Sequence, residues 1–404
     1  MILRKGLALL IGILFIISPI TRVHAAGVNI KLVIIVSDNE ADRAIAENVA
    51  EILGAQVVVS PWGTYDPAAS AEILTINPDR IIIIGGSVAV PEEYTQDFEE
   101  FGIPYERWYG ETRYETNLAV IKMLKEEFPE AFSQITSVVI VNGRDVLAIE
   151  NYQSMREYFP NEFEGIPILI LTDEGKIQTT LDVLNEFNRI TEVRYMATYA
   201  SSFSRTPLFP INKETIDLWL KKRFGTDYFS SESMSMPSTT RTYQVLVDVQ
   251  NKTHRAETLL DGLEIPDARK KLDDAKKLMT LAWEAYNEGD YTKAYELAMM
   301  ANFNADFVIS RAYREMNTIY QGSAKLQMTR ELFRLQVMVE VLKKKGYNVS
   351  NLEALLSQAR EALDRGDYSA LLNDLIPQIK NEIAQLTVKR PIPGMPEGRD
   401  RGRP

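Results

Sequence analysis

Four consecutive isoleucines, Ile81–Ile84, constrain the fold of this chain more than any other feature. A strand turns successive side chains to opposite faces, so an unbroken apolar run needs cover on both sides, as in a parallel sheet between helices. The preceding sequence supplies the rest of such a sheet. Lys31–Ser37 is an apolar run of strand length, and Asp42–Leu53 is amphipathic at helical spacing and stops at Gly54. Gln56–Ser60 reads as a second strand and Ala68–Thr75 as a helix, before Asn77-Pro78-Asp79 turns the chain into Arg80–Ile84. Strands and helices alternating over short connections predict βαβ units with right-handed crossovers.

The same order of elements returns. Ser137–Val141, Ile166–Leu171 and Glu192–Met196 read as strands, and Asp145–Tyr158, Thr179–Phe187 and Lys213–Phe224 as helices. Ile34–Ser37 aligns with Val138–Val141, and Ile81–Ile84 with Val193–Met196, at unequal offsets that imply insertions within an internal duplication. The fold class expected is α/β plus all-α: duplicated Rossmann-like three-layer parallel-sheet units, then a helical-bundle domain.

Composition removes several function classes. The chain of 404 residues has no cysteine, which excludes disulfides, thiolate metal sites and cysteine nucleophiles. It has two histidines, His24 and His254; the latter, among polar neighbours, reads as solvent-facing. Arg4 and Lys5 precede an apolar run from Gly6 to Ile17, broken by Ser18-Pro19 and closed by small residues at Ala25-Ala26, the parts of a secretory leader. Cleavage is expected after Ala25 or Ala26, because the run is shorter than the ~20 residues that span a bilayer. Loss of Arg4, Lys5 and Arg22 takes the 45 basic residues to 42 against 56 acidic ones, and the net charge from −11 to −14. That balance opposes nucleic-acid binding, which depends on Lys and Arg displacing phosphate counterions. No transmembrane helix is expected in the mature chain.

Between the two halves lies the most specific stretch. Ile81–Ile84 runs into Gly85-Gly86-Ser87-Val88-Ala89-Val90, then a helix, then Glu106-Arg107-Trp108-Tyr109-Gly110-Glu111-Thr112-Arg113-Tyr114-Glu115-Thr116-Asn117. This pattern resembles the prokaryotic cell-wall-binding repeat 2 family. Ser37-Asp38-Asn39-Glu40-Ala41-Asp42, Asn142-Gly143-Arg144-Asp145 and Pro167–Asp173 fit the same unit, and the resemblance covers roughly residues 30–225. It implies an α/β fold and a non-catalytic protein without cofactors or metal, anchored to the cell surface through anionic wall polymers, commonly by three tandem repeats. Two units are recognisable here; the second reads Tyr195-Met196-Ala197-Thr198-Tyr199-Ala200 where the Gly-Gly would recur.

The candidate ligand-binding residues are Arg107, Arg113, Tyr114, Gly85 and Gly86. Guanidinium groups pair bidentately with phosphate or carboxylate. Equally, Arg107 and Arg113 could pair with Glu106, Glu111 or Glu115 and tie the units together. Gly85 and Gly86 could cradle a phosphate or simply permit a tight turn at positive φ. Trp108 and Tyr109 could stack on a sugar or belong to the core. Asp42 and Asp145 read as helix-start residues. They also define the alternative function, an exported α/β enzyme or small-ligand binder in which Asp42, Asp145 or Asp173 converge near the Gly85 loop at the strand ends.

The remaining boundaries follow from composition. Residues 1–26 form the signal peptide, 27–112 the first α/β unit and 113–229 the second, degenerate one. Ser/Thr-rich Ser230–Thr242 is read as a linker, 243–388 as a helical domain and Pro/Gly/Arg-rich 389–404 as a disordered tail. In the helical domain, Gly289-Asp290-Tyr291 and Gly366-Asp367-Tyr368 resemble the corners of tetratricopeptide-like hairpins, and Leu332–Leu342 reads as a central helix. Asn251-Lys252-Thr253 and Asn348-Val349-Ser350 are glycosylation sequons. The expected partners are a cell-envelope polymer or surface-layer protein, with a protein partner possible for the helical domain.

Overall fold

The computed structural model describes residues 30–158, 165–198, 211–235, 238–320 and 324–387. The expected leader and tail lie outside these residues. The first sheet comprises β1 (Leu32–Ser37), β2 (Gln56–Ser60), β3 (Arg80–Ile84) and β4 (Tyr105–Trp108), all parallel, in the order β2-β1-β3-β4. Its helices are α1 (Glu40–Leu53), α2 (Pro67–Ile76) and α3 (Glu93–Glu100). Ile81–Ile84 are fully buried on both faces: Ile82 and Ile84 share a core with α1, Ile81 and Ile83 with α2 and α3. Burial of each contributes about 1.5–3 kcal/mol.

After α4 (Arg113–Glu127) and α5 (Pro129–Ser133) comes a second sheet of β5 (Ser137–Asn142), β6 (Ile168–Thr172), β7 (Glu192–Thr198) and β8 (Phe229–Ser235), with α6 (Val146–Tyr158), α7 (Ile177–Asn185) and α8 (Lys213–Phe224). It too is parallel, in the order β6-β5-β7-β8. The α/β class with parallel sheets is therefore observed. The Ser230–Thr242 linker is not: Ser230–Ser235 belongs to β8, the outermost strand, and Thr239 begins a helix. An edge strand needs a partner on one side only, and Phe229-Ser-Ser-Glu-Ser-Met-Ser carries no apolar alternation to betray it, since Phe229 and Met234 are exposed.

The helical half does not make one bundle. Helices α9 (Thr239–Leu260), α10 (Pro266–Asn287) and α11 (Tyr291–Tyr320) form one group, whose core takes in Val146 and Leu147 at the start of α6. Helices α12 (Ala324–Lys344), α13 (Ser350–Asp364), the short α14 (Tyr368–Ala370) and α15 (Ile376–Thr387) form another, in which Leu335, Met338 and Leu342 share a core with Ile81, Ile83 and Phe98. The second group packs on the first α/β unit, whereas α9–α11 contacts both, through Val146 and Leu147 of the second and Trp62 of the first. Arg334 of α12, buried, pairs with Asp97 and Glu100 of α3, and Lys380 of α15 reaches Glu100 at 3.0 Å. Gly289 and Gly366 do end helices at positive φ, 85° and 72°. After Gly366, however, the chain makes a π-helical turn at Leu371–Leu375. Pro377 explains it, since proline has no N–H and its ring crowds the carbonyl four residues back.

The two sheets are joined by side chains that stand in for a strand. Alternate residues of a parallel strand present both N–H and C=O to one side, and on the free side of β6 those groups meet two asparagines. Asn48 of α1 donates to Pro167 O and accepts from Leu169 N, both at 2.8 Å. Asn117 of α4 donates to Leu169 O and accepts from Leu171 N, both at 3.0 Å. Each amide thus replaces one peptide group of a missing neighbour, and both are buried. Replacing Asn117→Leu keeps the volume and orphans two backbone groups, so urea denaturation is expected to show a loss of about 3 kcal/mol; an unchanged midpoint would show the cap to be dispensable.

Candidate functional site

The string that carries the family resemblance lies where the two sheets meet, and its residue types have local causes. A Cβ on Gly110 would sit 2.4 Å from the Glu115 backbone, so only glycine lets the chain return this closely to α4. Thr112 caps α4, its Oγ1 accepting from Tyr114 N at 3.3 Å. Thr116 Oγ1 accepts from Gly110 N at 3.1 Å. The next residues cross to the second unit. Arg113 donates to Gly143 O at 2.5 Å, Tyr114 O–H to Asp173 Oδ2 at 3.1 Å, and Glu115 receives Lys176 Nζ at 2.6 Å. Burial, then the Asp173 carboxylate, raise the Tyr114 hydroxyl well above its ordinary range, so it remains a donor. Arg113 and Arg144 both lie against the Phe303 ring of α11, at 5.8 and 5.9 Å from its centroid.

Arg107 is placed differently. It is buried on β4 and turns back on its own unit, donating to Gly85 O at 2.9 Å and Val90 O at 3.0 Å, with Glu92 at 3.7 Å. The pairs anticipated within the string go elsewhere: Glu106 meets Arg80, and Glu115 meets Lys176. Gly85 adopts φ 114° and makes the turn, whereas Gly86 leaves room for the Tyr109 ring, 3.4 Å from where its Cβ would be. Trp108 is fully buried in the core. Of the five candidates, the structure brings Arg113 and Tyr114 together at the seam and groups Arg107 with Gly85 and Gly86 one strand end away.

Open α/β sheets bind ligands outside the carboxyl ends of their strands, where the strand order reverses, here β1/β3 and β5/β7. Both places are covered by the α9–α11 group. Asp145 is fully buried at β5/β7, accepting from Thr198 N at 2.9 Å, Thr198 Oγ1 at 2.8 Å and Tyr295 O–H at 3.3 Å. Tyr295, from α11, accepts in turn from Leu147 N at 3.0 Å. At β1/β3, Lys252 of α9 bridges Asp306 of α11 at 3.1 Å and Glu40 at 3.8 Å. Burial outweighs the opposing influence of Lys252 on Asp306 and, with a further push from Glu40, raises that carboxyl above its usual range. The space left beneath, lined by Asp38, Asn39, Trp62, Lys252, Arg255 and Asp306, is about 20 Å³, the volume of one water.

The acids of the alternative reading each open a helical segment. Asn39 caps α1 with Asp42 in its first turn, Asp145 accepts from Ala148 N at 3.2 Å, and Asp173 caps the turn at Glu174–Lys176. His254 is exposed. Among the described residues, no group of three or more His, Cys, Asp or Glu could hold a metal, and no helix is long and apolar enough to cross a membrane. Sequence reasoning missed Asn48, Asn117 and Tyr295. The asparagines leave one trace, since each stands at an apolar-face position of its helix: Asn48 with Ile45 and Val49, Asn117 with Val120 and Ile121.

No family model matches the chain. An uncharacterized protein of Methanocaldococcus jannaschii is 40% identical over 141 residues, 35% of this chain and 41% of the relative. The chain thus spans about two fifths of the length of that curated relative. Among solved structures, Cwp6 and Cwp8 from Clostridium difficile are similar at TM-scores of 0.36, with 21% and 16% identity. The matches cover 50% and 54% of this chain and 29% and 33% of theirs. Likeness at that level is too slight to define a shared fold.

Asp42 sits between these features, buried at the start of α1 with Oδ2 3.8 Å from the Cβ position of Gly85. Burial pushes its carboxyl from 3.8 up to about 6, against the lowering influence of Arg113 and with a further push from Glu40. The folded state therefore holds this proton more tightly than the unfolded chain. Stability owed to it is complete below pH 4 and lost as pH rises through 6. Asp42→Asn removes that loss. The variant is expected to be more stable than the parent at pH 8 by up to about 3 kcal/mol and to show no such gain at pH 4. Thermal denaturation at the two pH values checks this, and an equal effect at both contradicts it.

Proposed function

We propose that this is an exported, non-catalytic protein of the cell envelope, a binding or scaffold protein that attaches to a surface polymer or surface-layer protein. The observation that carries this reading is the work done by the string Gly110–Asn117, which resembles cell-wall-binding repeats. Its side chains fasten one parallel sheet to the next, through Arg113 to Gly143, Tyr114 to Asp173, Glu115 to Lys176 and Asn117 to β6. The shared strand order of the two sheets supports reading them as a duplicated, Rossmann-like unit. Covered strand ends favour attachment through outer surfaces over chemistry in a cleft: Tyr295 fills one and the Lys252–Asp306 pair closes the other. Two units fastened at a seam and spanned by the α9–α11 group suit a part that holds other components in place.

The purified chain from residue 27 onward is expected to sediment with isolated envelopes of the cells that make it. Recovery entirely in the supernatant, under conditions where the protein is folded by circular dichroism, would overturn the attachment reading.

A further inference from the structure

Away from the seam, the outer edge of the second sheet carries a groove of about 450 Å³ between α8 and β8, within the range of small-ligand sites. Its charges cancel internally. Lys213 bridges Asp217 at 2.6 Å and Glu232 at 3.1 Å, and Tyr195 O–H donates to Asp217 at 2.6 Å. A second ammonium, Lys221, also lines it and makes no ion pair among the described residues. Two cations thus face two carboxylates, so the groove presents no net field to attract an ion.

What it does present is hydrogen-bonding capacity. The carboxylates keep lone pairs beyond those Lys213 uses, and the hydroxyls of Thr226 and Ser230 can donate or accept. Tyr228 adds a partly exposed ring to the same wall. Rigid acceptors, mobile hydroxyls and one aromatic face, with charge balanced, match a compound with many hydroxyls, apolar C–H faces and no charge. An apolar ligand would strand these polar groups.

We propose that the α8–β8 groove is a saccharide-binding site for uncharged sugars, taking one or two residues of a longer glycan, with Tyr228 stacking on a pyranose ring. This deepens the attachment reading, on which its biological meaning rests, by naming a glycan class and a place. The binding itself can be measured without envelopes.

The test is calorimetric titration of the whole chain with maltohexaose, chitohexaose and mannohexaose, with trigalacturonate as the anionic counterpart. Saturable binding of a neutral hexasaccharide is expected, unchanged between low and high salt because no charge is screened. Tyr228→Ala should weaken it about tenfold or more, while Tyr228→Phe, which keeps the ring, retains it. Four results overturn the proposal: no saturable binding of any neutral sugar, binding lost in salt, tighter binding of trigalacturonate, or an affinity untouched by Tyr228→Ala. A chain that pellets with envelopes yet binds no neutral sugar removes the groove and leaves attachment standing. Sugar binding by a chain that stays in the supernatant does the reverse.

Discussion

Two asparagine amides hold this architecture in register. The free side of β6 is buried, and a buried peptide group without a partner costs roughly 1–3 kcal/mol. Asn48, from α1 of the first unit, and Asn117, from α4 between the sheets, satisfy four such groups. A hydrophobic contact would tolerate sliding along the strand. An amide matched in donor and acceptor to particular peptides does not, so the second sheet has one allowed position against α1 and α4. Around that fixed line the remaining contacts of the seam gather: Gln153 with Glu47 at 2.6 Å, Lys125 with Glu186 at 3.0 Å, and the bonds of Arg113 and Tyr114.

The helical half follows from what the sheets leave uncovered. One face of the first sheet is shared with α1 and the second unit; the other is closed by α2 and α3 and then by α12–α15. The carboxyl ends of the strands fall to α9–α11. The buried Arg334 network and the Lys252 bridge are therefore not ornaments of separate domains. Charges buried at such junctions add little net stability but tolerate only one docking geometry.

Much of the α/β region was legible because its signals are local. Four isoleucines in a row, glycine stops and helix-start acids report on their own neighbourhoods, and the strands and helices fall close to where the pattern puts them. Arg107 and Arg113 stood out as a pair, but nothing in their spacing distinguishes an arginine that grips its own loop from one that reaches Gly143. Tyr295 gave no sign of its role, because its partner Asp145 is distant in sequence and a tyrosine on an apolar helix face looks like core. β8 was invisible for the opposite reason: as a polar edge strand it owes its place to β7 and carries little of its own signal.

One long helix has a mechanical consequence. From Tyr295, which enters the second sheet, past Phe303 at the seam, to Asp306 and Tyr313 over the first, α11 covers about 27 Å at 1.5 Å per residue. Its attachments tie the carboxyl ends of the two sheets together across the seam. A pull that tries to shear one sheet past the other therefore loads the hydroxyl, the ring and the carboxylate at the same moment. The molecule resists as a splinted joint does, by sharing the strain, and yields only when the splint itself lifts away.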